Sequence, residues 1–119
     1  MTTKELGDVG ESLAINFLRK EGFQIIKTNY RFGRYEVDII YKDGEEIVFT
    51  EVKTRQTAEI GPPWKAVTRS KQRQIITCAH HYLVENNIDS ECRFDIISIV
   101  YNSYRTEIEH IQDAFYPML

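Results

Sequence analysis

A chain of 119 residues with 42% hydrophobic and 28% charged side chains can bury a core of its own, which excludes a fibrous or disordered polymer and reads as a single domain, 1–119. No apolar run approaches the ~20 residues of a membrane span, and Met1 to Asp8 lacks the apolar centre of a signal peptide, so the expected location is the cytoplasm, with no membrane partner. A net charge of −3 argues against gripping nucleic acid by bulk charge; the two cysteines, Cys78 and Cys92, make no disulfide framework, and their spacing to His80, His81 and His110 matches no zinc pattern.

In chain order, Leu6, Val9, Leu13, Ala14, Phe17 and Leu18 recur on one side of a helical wheel, predicting an amphipathic helix from about Gly7 to Glu21 with Gly22 as its stop. Gly10 falls inside the apolar arc, where the missing side chain would let the helix approach a sheet closely. Glu11 sits at the edge of that arc. Phe23 to Tyr30 reads as a first strand, and Arg31 to Arg34 turns the chain back, with Arg31 and Arg34 as weak phosphate candidates.

Tyr35 to Arg55 carries the most informative pattern. Two runs rich in β-branched and aromatic residues flank Asp43-Gly44, which predicts a hairpin. With side chains alternating at period two, Glu36 and Asp38 share one face of the first strand, and Glu51 and Lys53 one face of the second. A four-residue loop from Asp43 to Glu46, which lets Ile47 start the second strand, sets Asp38 opposite Glu51 and Glu36 opposite Lys53. Two carboxylates at about 4 Å repel by roughly 4 kcal/mol at an effective dielectric near 20, so such a pair calls for a compensating cation. Either Lys53 or a divalent metal with a preference for oxygen ligands can supply it.

Beyond the hairpin, Gln56 to Trp64 contains Gly61-Pro62-Pro63 and reads as a loop, with Trp64 expected to pack beneath it. Thr68 can cap a helix to about Glu85, whose stripe of Ile75, Ile76, Ala79, Tyr82 and Leu83 extends backward to place Lys71 on the inward face. Adjacent His80 and His81 point about 100° apart and are given no role. Cys92 to Tyr101 and Thr106 to Ile111 read as strands about an Asn102-Ser103 turn; Asp95 inside the first is expected to make structural hydrogen bonds. The apolar tail, Ala114 to Leu119, is expected to pack on the domain or on a second subunit. The order is therefore α-β-β-β-α-β-β, an α/β fold with a central mixed sheet flanked by helices. Between residues 51 and 75, six basic side chains face two acidic ones, a local +4 beside the acidic hairpin.

Asp38, then Glu51-Val52-Lys53 after a twelve-residue gap, resembles the Asp…(Asp/Glu)-x-Lys signature of the restriction-endonuclease-like nucleases. With Gly10-Glu11, Asn29-Tyr30-Arg31, Glu36-Val37-Asp38, Phe49 to Arg55, Lys71 and Arg93-Phe94-Asp95, the chain from Leu6 to Val100 resembles the YraN family of bacterial proteins similar to archaeal Holliday junction resolvases. Tyr35 stands where that family usually has Gly.

The resemblance implies a restriction-endonuclease-like core and metal-dependent hydrolysis of DNA phosphodiesters, in branched or structured DNA. It assigns catalysis to Asp38, Glu51, Lys53 and Glu11, with Mg²⁺, or Mn²⁺ in its place, held by Asp38, Glu51, the Val52 carbonyl and Glu11. Arg55 and Lys71 would bind backbone phosphate, and Glu36 would pair with Lys53 or support the metal's shell. A homodimer is implied by the two-fold junctions that resolvases cut. The alternative is a non-catalytic nucleic-acid-binding module that retains the nuclease fold.

Overall fold

The computed structural model describes residues 1–117. Helix α1 (Thr3–Lys20) is followed by β1 (Gln24–Phe32), β2 (Tyr35–Asp43) and β3 (Glu46–Arg55); α2 (Arg69–Glu85) then leads to β4 (Cys92–Tyr101) and β5 (Thr106–Phe115). This is the expected α-β-β-β-α-β-β order. The five strands form one sheet in the order β1-β2-β3-β4-β5, antiparallel except for the parallel pair β3 and β4. A parallel pair needs a crossover, and α2 provides it.

The helices cover opposite faces of the sheet. Ala14 and Leu18 of α1 pack with Ile39, Tyr41, Val48, Ile97 and Ile99, whereas Ile75, Cys78, Ala79 and Tyr82 of α2 pack with Tyr30, Ile40, Phe49 and Phe94. Both helices begin where a side chain can cap them. Thr2 and Glu5 form a reciprocal capping box, which starts α1 four residues before the apolar stripe suggests, and Thr68 caps α2 as expected. Gly10 lies against Thr54 so closely that a Cβ there would stand 1.8 Å from Thr54 Oγ1. The helix meets the sheet through a glycine, as its place in the stripe predicts.

The β2–β3 register is the expected one, with Ile39 opposite Thr50 and Lys42 opposite Ile47. The loop is shorter than predicted. Asp43 pairs with Glu46 and leaves a two-residue turn in which Gly44 takes φ +62°, a conformation glycine adopts without strain. Arg93 explains the extra rung: its guanidinium lies 2.7 Å from Asp43 Oδ2 and 3.1 Å from Glu46 Oε1, holding the two strand ends together. β5 also runs past its predicted end at Ile111 to include Ala114 and buried Phe115; Met118 and Leu119 of the tail lie outside the described residues. Trp64 does not pack beneath its loop. It is 37% exposed, with Lys65 over its ring. No described helix is long and apolar enough to cross a membrane.

Candidate functional site

Paired rungs between β2 and β3 stop at Ile39 and Thr50, although β2 begins at Tyr35 and β3 continues to Arg55. The strands part beyond that rung. Asp38 and Glu51 are the first residues past it, one on each prong of the fork. Instead of a ladder bond, the Val52 backbone N–H donates to Asp38 Oδ2 at 2.8 Å, so the carboxylate is fixed by the very strand it faces.

Glu51 is only 7% exposed, and it lies within hydrogen-bond reach of Asp38. Burial and that neighbouring carboxylate push Asp38 far above the usual carboxylate range, to about 8. Glu36, on the same prong as Asp38, is raised by burial and by the Asp38 charge; Glu11, reaching in from α1, is raised by burial and by Asp38 and Glu36. Four carboxylates thus converge from three elements. Such convergence stores repulsion that a cation would relieve.

The cations the chain itself supplies are fewer than the sequence suggests. Lys71, on the first turn of α2 and facing inward as its stripe predicts, brings Nζ to 3.5 Å from Glu51 Oε2. Glu36 does not pair with Lys53. Its partner is Arg31, whose NH2 lies 3.0 Å from Glu36 Oε2 without the angle of a directed hydrogen bond, so that buried oxygen has no hydrogen-bond donor. The cause is the fork: once β2 leaves β3, Glu36 faces β1, where it stands opposite Arg31. Lys53 and Arg55 continue along the freed part of β3 and line a surface cavity of about 330 Å³ with Thr3 and Leu6 of α1; neither makes an ion pair among the described residues.

Asn29 escaped the sequence reading as a working residue. Its side-chain amide donates to Glu11 Oε1 at 2.8 Å and so aims Glu11 at the fork. The backbone there takes φ +53°, and the ladder between β1 and β2 has no rung at this point, opposite Asp38. The available signal was an asparagine inside a strand, where that residue is depleted. Asp95 is not part of this cluster. Fully buried, it accepts from Arg93 Nε at 2.9 Å, Tyr41 Oη at 2.6 Å and the Asp113 N–H at 3.0 Å, with His110 Nε2 2.7 Å away, the structural role expected of it.

The donor set at the fork consists of oxygen atoms, suited to a hard divalent cation rather than to zinc. Among the described residues no three acidic, histidine or cysteine side chains are already arranged as a metal cage. Mg²⁺ does not require one, since it is commonly held by one or two carboxylates with water and substrate phosphate completing the shell. Asp38 and Glu51 meet that requirement, and Glu36, its Oε2 ion-paired with Arg31 but without a hydrogen-bond donor, adjoins Asp38.

Residues 10–99 match the model of a family described as "Uncharacterised protein family UPF0102". A UPF0102 protein of Christiangramia forsetii is 46% identical over 112 residues, covering 94% of both chains. One of Geobacter metallireducens is 45% identical, covering 94% of this chain and 93% of its own, and one of Chlorobium chlorochromatii is 43% identical, covering 97% and 94%. The hairpin, the fork, α2 and α1 from Gly10 onward fall within the matched region, and this chain belongs to the uncharacterised protein family UPF0102.

Proposed function

We propose that this protein is a divalent-metal-dependent nuclease that hydrolyses DNA phosphodiester bonds at the β2–β3 fork. The observation that carries the reading is the opposition of half-buried Asp38 and buried Glu51 across the fork, two carboxylates held together at a cost in stability. The resemblance of the Asp38…Glu51-Val52-Lys53 spacing to the restriction-endonuclease-like nucleases supports it, and so does the arrangement of helices about the sheet.

Each residue's part follows from its position. Asp38, fixed by the Val52 N–H, and Glu51, flanked by Lys71, hold Mg²⁺ or Mn²⁺ with the Val52 carbonyl, while Glu11 contributes directly or through water under the aim of Asn29. The bound ion supplies Lewis-acid polarisation of the scissile phosphate and a water of lowered pKa. Lys53, unpaired and next along β3, donates to the phosphoryl oxygens as charge grows on them, a contribution of about 3–4 kcal/mol for one well-placed donor. Lys71 and Arg55 bind the phosphates on either side. Glu36 holds Arg31 in place and supports Asp38 from its own strand.

One observation favours the second reading, a DNA-binding module without catalysis: Lys71 already partly neutralises Glu51 without any metal. DNA cleavage separates the two, and calorimetric titration tests the metal site on which cleavage depends. Mg²⁺ and Mn²⁺ should bind the wild-type protein and fail to bind Asp38→Asn, with the circular dichroism of the two proteins unchanged. Equal metal binding by both would remove Asp38 from the site, and no binding by either, with DNA present, would leave the fork a charged surface only.

A further inference from the structure

The β1–β2 turn places an exposed aromatic ring beside the fork. Phe32 is 40% exposed, and one face of its ring lies flat on His81 of α2, with centroids 4.0 Å apart and planes 14° from parallel. His81 is itself fixed, its Nδ1 2.7 Å from the hydroxyl of buried Tyr30. The turn is tight: Phe32 pairs with Tyr35, and Gly33 takes φ +61°, so only Gly33 and Arg34 connect the strands. An aromatic side chain gains most from burial, yet this one is held rigidly with its other face outward. Two arginines flank it, Arg31 on the Glu36 carboxylate and Arg34 with its guanidinium 5.9 Å from the Tyr35 ring centre.

We propose that this tip is a stacking platform for an unpaired or terminal base of the DNA strand that enters the fork, with Phe32 taking the base and Arg31 and Arg34 the adjoining phosphates. The inference rests on the nuclease reading and narrows its substrate class to DNA carrying an unpaired base, an end or a branch. A ring already stacked on one side offers a base its other π-face in sequence-tolerant fashion, and flanking guanidiniums match the phosphates on either side of that base. Bases inside a continuous duplex are stacked on their neighbours and cannot use such a platform. The tip is also continuous with the site, since Arg31 holds Glu36 and Glu36 adjoins Asp38. Along α2, His81 lies ten residues beyond Lys71, about 15 Å at 1.5 Å per residue, or roughly four steps of a DNA strand at ~3.4 Å each.

The test is fluorescence anisotropy in EDTA, where no cleavage occurs, with a continuous duplex and the same duplex carrying a short unpaired flap. Wild-type protein should prefer the flap. Phe32→Ala and Phe32→Leu should weaken binding to the flap by about tenfold while leaving duplex binding unchanged, and Phe32→Trp should restore it. Arg34→Gln should weaken both DNAs alike and lower the salt slope by about one. Phe32→Leu binding the flap like wild type would overturn the platform alone, as would equal losses on both DNAs in the alanine and leucine variants. Failure of the wild-type protein to bind either DNA, in EDTA and again with Mg²⁺ added, would overturn the platform and the nuclease reading together.

Discussion

Asp38 illustrates how a single residue can be placed against stability. Its carboxylate is half-buried beside Glu51, and two charges about 4 Å apart repel by roughly 4 kcal/mol at an effective dielectric of 20. Asparagine keeps an oxygen for the Val52 N–H and removes the charge. The metal-free Asp38→Asn protein should therefore be more stable than wild type, by about 1–2 kcal/mol in urea denaturation, because part of that repulsion is already relieved by proton uptake. A less stable variant would mean that Asp38 is there for the fold. Asp95 behaves in the opposite way. Although burial works against its charge, His110, Arg93, Tyr41 and the Asp113 N–H hold it at about 2, below its ordinary 3.8. A carboxylate depressed in the folded state contributes stability that is fully present above the unfolded value and lost as pH falls through the folded one. Asp95→Asn should cost about 2–3 kcal/mol at pH 7, and the difference from wild type should shrink steadily between pH 4 and pH 2. A penalty independent of pH would show that packing, rather than ionisation, is what Asp95 provides.

At the scale of elements, the α1–β3 contact is set by Gly10 and Thr54. Alanine at position 10 improves helix propensity by about 1 kcal/mol but drives a methyl into Thr54, so Gly10→Ala should lower stability by a net ~1–2 kcal/mol. Thr54→Ala opens that space and removes a buried hydroxyl without a hydrogen-bond partner, and the double variant should recover most of the loss. Additive losses in denaturant melts of the two single variants and the double would contradict direct contact. The same elements mark where sequence reasoning succeeds. Period-two alternation and the polar turn gave the β2–β3 register, because that information lies within the strands. The helix stripes gave Gly10 its place against the sheet and Lys71 its inward direction for the same reason. The loop length could not be read locally, since Asp43 and Glu46 are drawn into the ladder by Arg93, about fifty positions along the chain. The start of α1 was legible in Thr2-x-x-Glu5 but lay outside the apolar stripe used to place it. Matching Glu36 to Lys53 extends a register that ends three residues earlier, and no strand pattern announces where two strands part. The Phe32–His81 stack is a contact between a turn and the far part of a helix, beyond any local periodicity.

Across the whole molecule, the sheet does two tasks at its two ends. At the hairpin end, Arg93, Asp43, Glu46, Asp95, Tyr41 and His110 form a network that ties β2 through β5 together. At the other end β2 and β3 separate, and the opening is lined by carboxylates from α1, β2 and β3, with cations from α2, β1 and β3 around it. A rigid clasp at one end allows a strained, repulsive site at the other, the usual distribution of stability and function in a small domain. On the proposed reading, the net charge of −3 is no obstacle to DNA, because basic side chains that would draw in phosphate stand beside the acidic ones. The most direct test is incubation of wild-type and Asp38→Asn protein with end-labelled duplex, single-stranded and four-way-junction DNA, in Mg²⁺, in Mn²⁺ and in EDTA. Cleavage of at least one DNA by the wild-type protein, dependent on metal and abolished by Asp38→Asn, is the predicted result. Metal binding at the fork without cleavage of any of the three, or cleavage that survives in Asp38→Asn, would contradict it.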